Sequence, residues 1–181
     1  YFSIKSFKNN FISKKEFKEA IKIIKKSIKI NPKQADVNNN LGLMLANLKK
    51  YDDAISYYKR AIKINDRFID AYFNLGITYK ELGILNKAVF YWEKVIEIQP
   101  KNFKAYNNIG NINLEKNENI LAVKFYDKAI FLNKNFDLAY FNRGNALQKL
   151  KKLNESIDNF SESIKLNPNY SEAYANRGNS Y

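Results

Sequence analysis

The stretch IDAYFNLGITYKELGILNKAVFYWEKVIEIQPKN, residues 69–102, decides the fold because its pattern recurs along the chain at a fixed interval. Its Gly76 has counterparts at whole multiples of that interval in both directions, at Gly42, Gly110, Gly144 and Gly178. All three prolines fall in one phase of the same interval, at Pro32, Pro100 and Pro168. The chain is therefore built from an internal repeat of about 34 residues.

Each repeat begins with a helical stripe. In residues 69–102 the stripe is formed by Tyr72, Leu75, Gly76 and Tyr79. These positions lie within about 100° of one another on an α-helix, which is the width of one packing face. The glycine in this face lets a neighbouring helix approach closely.

The second half of the repeat predicts another helix. A small residue, a large aromatic residue and a second small or medium residue follow at spacings of four and three, as in Ala88, Trp92 and Val95. Trp92 is accordingly predicted to lie in the core, and the proline phase ends this helix. Between the two helices, Gly83 and Asn117 share a phase that suits a left-handed helix C-terminus.

The order of these residues resembles the tetratricopeptide repeat family, which has an aromatic, Leu-Gly and Tyr on one helix and Ala, aromatic, Ala and Pro on the next. We predict an all-α solenoid of helix-turn-helix repeats at 1–34, 35–68, 69–102, 103–136 and 137–170, with 171–181 opening a sixth. The resemblance implies a right-handed α-α superhelix whose first helices line a concave groove. The first repeat departs most, because Lys8 stands at the glycine position.

The amino-acid composition excludes several kinds of catalytic and metal-binding site. The chain has no His and no Cys, which removes the usual zinc sites, thiol nucleophiles and triads that need an imidazole base. We therefore expect no catalytic residue, no metal and no cofactor. The net charge of +13 is concentrated in residues 1–34, which hold ten Lys and two Glu. We interpret these Lys as a solvated face and expect neither a nucleic-acid nor a membrane partner.

The residue two positions before each repeat glycine is always asparagine and faces away from the packing stripe. The row comprises Asn40, Asn74, Asn108, Asn142 and Asn176, with Asn111 and Asn145 in a partial second row one position after the glycine. An amide offers a donor and an acceptor, so it can pair with one peptide unit without reading its side chain. The row resembles the Asn ladder of O-linked N-acetylglucosamine transferases, which contacts substrate peptide backbone.

Two other interpretations of the row are open. Asparagine makes up 27 of 181 residues, so duplication of an ancestral repeat could explain the row without a function. The amides could also bond to the backbone of an adjacent repeat and so serve structure. Phe73 and Phe141, three residues before their glycines, are candidates for a pocket that takes a ligand side chain, and packing against the next repeat is the alternative.

The sequence also has a weaker periodicity that is twice as long as the repeat. Phe73 and Phe141 alternate in one phase with Asn39 and Asn107. Adjacent repeats are therefore expected to form pairs, so that the chemistry of the groove recurs every two repeats.

These features predict a non-catalytic scaffold that binds a protein or an extended peptide in its groove. The alternatives are a substrate-recruiting arm of a glycosyltransferase-type enzyme and a structural scaffold that self-associates through its repeat edges. Because residue 1 is Tyr and the sequence ends at Tyr181 within a first helix, we expect a longer protein. The features do not fix the localisation, and a cytoplasmic one is favoured.

Overall fold

The computed structural model describes the backbone of residues 14–181 and the side chains from residue 18 onward. Within this part of the chain all regular structure is α-helical, which confirms the all-α prediction. The first helix predicted for repeat one falls in residues 1–13 and so lies outside the described residues. The described residues form two compact units, one that ends at Thr78 and one that comprises residues 79–181.

Ten helices occur between residues 14 and 181. They are α1 (Lys14–Ile30), α2 (Ala35–Asn47), α3 (Tyr51–Ile64), α4 (Ile69–Glu81), α5 (Leu85–Ile98), α6 (Phe103–Glu115), α7 (Asn119–Leu132), α8 (Asp137–Lys149), α9 (Leu153–Leu166) and α10 (Ser171–Gly178). In the first unit α2 packs on both α1 and α3. In the second unit consecutive helices pack together from α5 to α10, and α6 also contacts α8.

The turn inside each helix pair is a left-handed C-cap. Lys49, Gly83, Asn117 and Lys151, which occupy the same position in successive repeats, have φ angles of 58°, 72°, 61° and 58°. The next residue donates its N–H to the carbonyl five residues earlier, as from Glu118 to Asn113 at 2.8 Å, which is the Schellman pattern. The left-handed turn predicted at Gly83 and Asn117 is therefore confirmed. The prolines also lie where predicted, since α1, α5 and α9 each end two residues before one.

The repeat glycines mark the closest approach of the two helices in a pair. A Cβ atom on Gly110 would lie 2.6 Å from Cε1 of Tyr126, which belongs to α7 and is fully buried. Gly42 meets Tyr58 and Gly144 meets Phe160 at the same distance. The predicted role of the glycine is thus confirmed at three positions. Gly178 differs, because nothing lies within 4 Å of its Cβ position.

Small side chains on either side of each aromatic complete the core. Ala122 and Ala129, four residues before and three after Tyr126, are both fully buried. Ser156 and Ser163 take the same places around Phe160. Trp92 is buried as predicted. The helices α3, α7 and α9 therefore each insert one ring between two small residues, directly against the glycine of the preceding helix.

Replacing Gly110 with Ala should destabilise the protein by about 1–3 kcal/mol, because the added methyl group overlaps the Tyr126 ring in a filled core. The urea midpoint followed by circular dichroism measures the effect. Gly178→Ala is the matched control, since its Cβ would enter open space and alanine favours helix. Equal midpoints for the two variants would contradict the assigned packing role.

Candidate functional site

The asparagine row lies on the first helix of each pair. Asn40 and Asn74 belong to the first compact unit, on α2 and α4, and Asn108, Asn142 and Asn176 belong to the second, on α6, α8 and α10. Asn40 is exposed and the other four are half-buried. All five side chains therefore remain in contact with solvent.

Two members of the row are bound to the preceding first helix. Nδ2 of Asn74 donates to Oδ1 of Asn39 at 3.0 Å, and Nδ2 of Asn142 donates to Oδ1 of Asn107 at 3.0 Å. The two bonds are identical in type and lie two repeats apart. Both acceptors are buried. Part of the row thus has a structural role, and it follows the two-repeat order in the sequence.

Asn176 uses a different acceptor. By position its partner would be residue 141, but Phe141 carries no amide oxygen, so Nδ2 of Asn176 instead donates to Oδ1 of Asn145 at 2.8 Å. Asn145 belongs to the partial second row. The structure therefore brings these two predicted site residues together across α8 and α10.

Asn111, the other member of the partial second row, is fixed by the second helix of its own pair. The hydroxyl of Tyr126 donates to Oδ1 of Asn111 at 2.8 Å. The same ring fills the space left by Gly110. The packing of α7 on α6 therefore also fixes the orientation of this amide.

The side-chain amides of Asn40 and Asn108 differ from the others. From residue 18 onward, neither amide forms a hydrogen bond with another side chain or with the backbone. Neither amide is paired with a neighbouring repeat. The row consequently contains two kinds of amide, those held by an adjacent helix and those that are not.

Phe141 packs against other aromatic rings. Its ring centroid lies 4.6 Å from that of Tyr170 and 5.8 Å from that of Phe160. These contacts favour the packing interpretation over an open pocket, although the side chain keeps some exposure. Phe73 lies on α4 and is half-buried.

The described lysines of α1 face solvent. Lys18, Lys22, Lys25, Lys26 and Lys29 on α1 are all exposed. Among residues 14–181 no helix has the length and hydropathy needed to cross a membrane. In the same part of the chain no three carboxylates come together in a way that could hold a metal ion.

Family models agree with the repeat pattern. A model described as Tetratricopeptide repeat matches residues 69–102 and 138–170. Further models described as TPR repeat or Tetratricopeptide repeat match 42–83, 23–56, 91–124 and 10–34. The chain belongs to the tetratricopeptide repeat family. No curated protein matches the sequence.

Solved structures share this fold at low sequence identity. The crystal structure of YrrB, a TPR protein with an unusual peptide-binding site, has a TM-score of 0.71 and 23% identity over 87% of this chain and 81% of that one. A structure of MamA has a TM-score of 0.77 and 22% identity over 95% and 99%. A chain of the APC/C hetero-tetramer Cut9-Hcn1 has a TM-score of 0.76 and 21% identity over 92% of this chain and 34% of that one.

Asn39, Asn107 and Tyr126 are absent from the site predicted for this tetratricopeptide repeat chain, yet they hold predicted site residues in place. A signal for Asn39 and Asn107 existed in the two-repeat alternation, where they share a phase with Phe73 and Phe141. Tyr126 could be recognised from sequence only as a core ring. Its hydroxyl contact with Asn111 depends on how α6 and α7 pack.

The buried hydroxyl of Tyr126 should make the stability of these tetratricopeptide repeats depend on pH. Burial raises the pKa of its hydroxyl above the usual value near 10, and the Glu115 carboxylate raises it further. The folded protein therefore keeps this proton at a pH where the unfolded chain releases it, so the stabilisation is present below about pH 10 and is lost as pH rises. The free energy of unfolding should fall by up to about 1.4 kcal/mol per pH unit from this group.

Tyr126→Phe should remove that contribution and flatten the decrease in urea midpoint between pH 9 and pH 11. The midpoints at pH 8, where the hydroxyl is protonated in both states, provide the reference for each protein. A variant whose midpoint falls as steeply as that of the unaltered chain would show that Tyr126 does not carry the effect.

Proposed function

We propose that this chain is a non-catalytic scaffold that binds an extended peptide along the asparagine row of its first helices. A role as a protein-interaction scaffold follows from the fold, because tetratricopeptide repeats form such scaffolds. YrrB, a structural relative, is described as having an unusual peptide-binding site, although at 23% identity that likeness extends to the fold alone. We further propose five repeats over residues 1–170 and the start of a sixth at 171–181.

Peptide binding along the asparagine row is supported by two features of residues 79–181: the spacing of the amides, and the hydrogen bonds that hold some of them in place. Asn108, Asn142 and Asn176 lie on successive first helices, and the bond from Asn142 to Asn107 places α6 and α8 in direct contact. Packed helices lie about 8–10 Å apart, and an extended peptide advances about 3.3 Å per residue. One amide per first helix therefore matches about three residues of bound peptide.

Prior fixation of the amides favours binding. A free asparagine side chain loses rotamer freedom when it binds a ligand, and this loss reduces affinity. In Asn142 and Asn176 the freedom is already lost in the folded protein, because one amide N–H of each is bound to a neighbouring asparagine. Such amides bind a peptide at a lower entropic cost than free ones.

The absence of His and Cys from the whole chain supports a binding role over a catalytic one. Phe73 and Phe141 are proposed to contact ligand side chains through their exposed portions. Because Phe141 also packs on Tyr170, its replacement should affect both peptide preference and stability.

Replacing Asn108 and Asn142 together with Ala should weaken binding of extended peptides by about five- to a hundredfold, since each lost hydrogen bond contributes about 0.5–1.5 kcal/mol. The peptides are selected from a random library on the unaltered protein and measured by fluorescence anisotropy. Asn154→Ala, which removes an exposed amide from α9, is the matched control. If the double variant stays folded and binds the selected peptides with unchanged affinity, the proposed site is wrong.

A further inference from the structure

We propose that the amides fixed by the protein itself in the two asparagine rows of residues 79–181 have opposite hydrogen-bonding polarity and hold a peptide by both the N–H and the C=O of its main chain. Asn142 presents its amide oxygen as an acceptor, while Asn111 and Asn145 present their amide nitrogens as donors. Asn107 and Tyr126 are the positioning residues that fix these orientations. This inference rests on the proposed function and specifies what the site recognises.

The orientation of Asn142 follows from its hydrogen bond. One Nδ2–H is directed to Oδ1 of Asn107 on α6, which is buried, so the amide plane cannot turn without breaking that bond. Oδ1 of Asn142 is left with no partner among the described residues. With a half-buried side chain, this oxygen is the atom offered to a ligand.

Asn111 and Asn145 have the reverse arrangement. Oδ1 of Asn111 accepts from the Tyr126 hydroxyl at 2.8 Å, and Oδ1 of Asn145 accepts from Nδ2 of Asn176 at 2.8 Å. Both oxygens are engaged by the protein itself. The Nδ2 groups, which donate to no atom of the described chain, are therefore the groups available to a ligand.

Spacing places an acceptor beside a donor on one helix. Asn142 and Asn145 are three residues apart on α8, so their Cβ atoms are neighbours at about 5–6 Å on the same side. A residue of an extended peptide directs its N–H and C=O to the same edge, as in a hydrogen-bonded pair of an antiparallel sheet. An acceptor next to a donor is the complement of that edge.

The charge around these amides favours a neutral ligand group. Arg143 lies between Asn142 and Asn145 in sequence, but its Nε is 2.7 Å from the Asp127 carboxylate and one Nη is 3.2 Å from Oδ1 of Asn159. The guanidinium is thus engaged with α7 and α9. Arg143 is therefore not free to attract an anionic ligand group to these amides, which suits the neutral main chain of a peptide.

Aspartate substitution tests the oxygen and the nitrogen of an asparagine amide separately, because it keeps the acceptor and removes the donor. Asn145→Asp keeps an oxygen that accepts from Asn176 but removes the exposed donor. A library-selected peptide without charged side chains should therefore bind about three- to tenfold more weakly. The circular dichroism spectrum should stay unchanged. Asn154→Asp adds the same charge on exposed α9 and is the matched control. An affinity for Asn145→Asp equal to that of the control would overturn the assigned polarity.

The positioning residues are tested by loss and rescue. Asn107→Leu removes the acceptor that orients Asn142 and should weaken the same peptide about three- to tenfold, whereas Asn107→Asp restores an acceptor and should bind within about twofold of the unaltered protein. Tyr126→Phe frees Asn111 and should also weaken binding; phenylalanine already occupies the equivalent position 160. In the NMR spectrum, slow exchange of the Asn142 Nδ2 protons should disappear in Asn107→Leu and persist in Asn107→Asp.

These results distinguish the inference from the proposed function. Weaker binding by the Asn108 and Asn142 double variant, together with unchanged binding by Asn145→Asp, Asn107→Leu and Tyr126→Phe, would overturn the polarity and the positioning roles alone. Unchanged binding by the double variant would overturn the proposed function as well. If either Asn107 variant fails to fold, Asn145→Asp and Tyr126→Phe still decide the question.

Discussion

The contact between the glycine of a first helix and the aromatic ring of the following helix, seen at Gly42, Gly110 and Gly144, sets the geometry of these repeats. Where Tyr126 faces Gly110 there is no room for a Cβ atom, so the separation of α6 and α7 is fixed by the thickness of the ring. The small residues Ala122 and Ala129 let α7 reach that distance. The same contact brings the Tyr126 hydroxyl to Asn111, so the core packing and the candidate binding surface are coupled.

The two-repeat order in the sequence has a physical counterpart in the hydrogen bonds. An asparagine three residues before the glycine accepts from the next repeat, as Asn39 does from Asn74 and Asn107 from Asn142. Where Phe141 occupies that phase, the following Asn176 turns to Asn145 instead. The alternation therefore changes which residue accepts from the row amide of the following repeat, whereas the donating atom is Nδ2 in all three bonds.

Sequence reasoning could predict the helices, the left-handed turns and the core because these features depend on residues close together within a single repeat. The phase of Gly83 and Asn117 predicted positive φ angles, and both residues have them. The side-chain partners could not be predicted in this way. Whether Asn142 donates to Asn107 depends on the distance between two helices and on side-chain rotamers, neither of which is encoded in residue spacing. Asn107 belongs to an alternating phase of the sequence, but its role as an acceptor follows only from the structure.

The crystal structure of this chain bound to a library-selected peptide tests the account most directly. We expect an extended peptide whose main-chain N–H donates to Oδ1 of Asn142 and whose C=O accepts from Nδ2 of Asn145, with the bond from Asn142 to Asn107 retained. A peptide bound as a helix, bound through its side chains alone, or bound on the second helices would contradict the account.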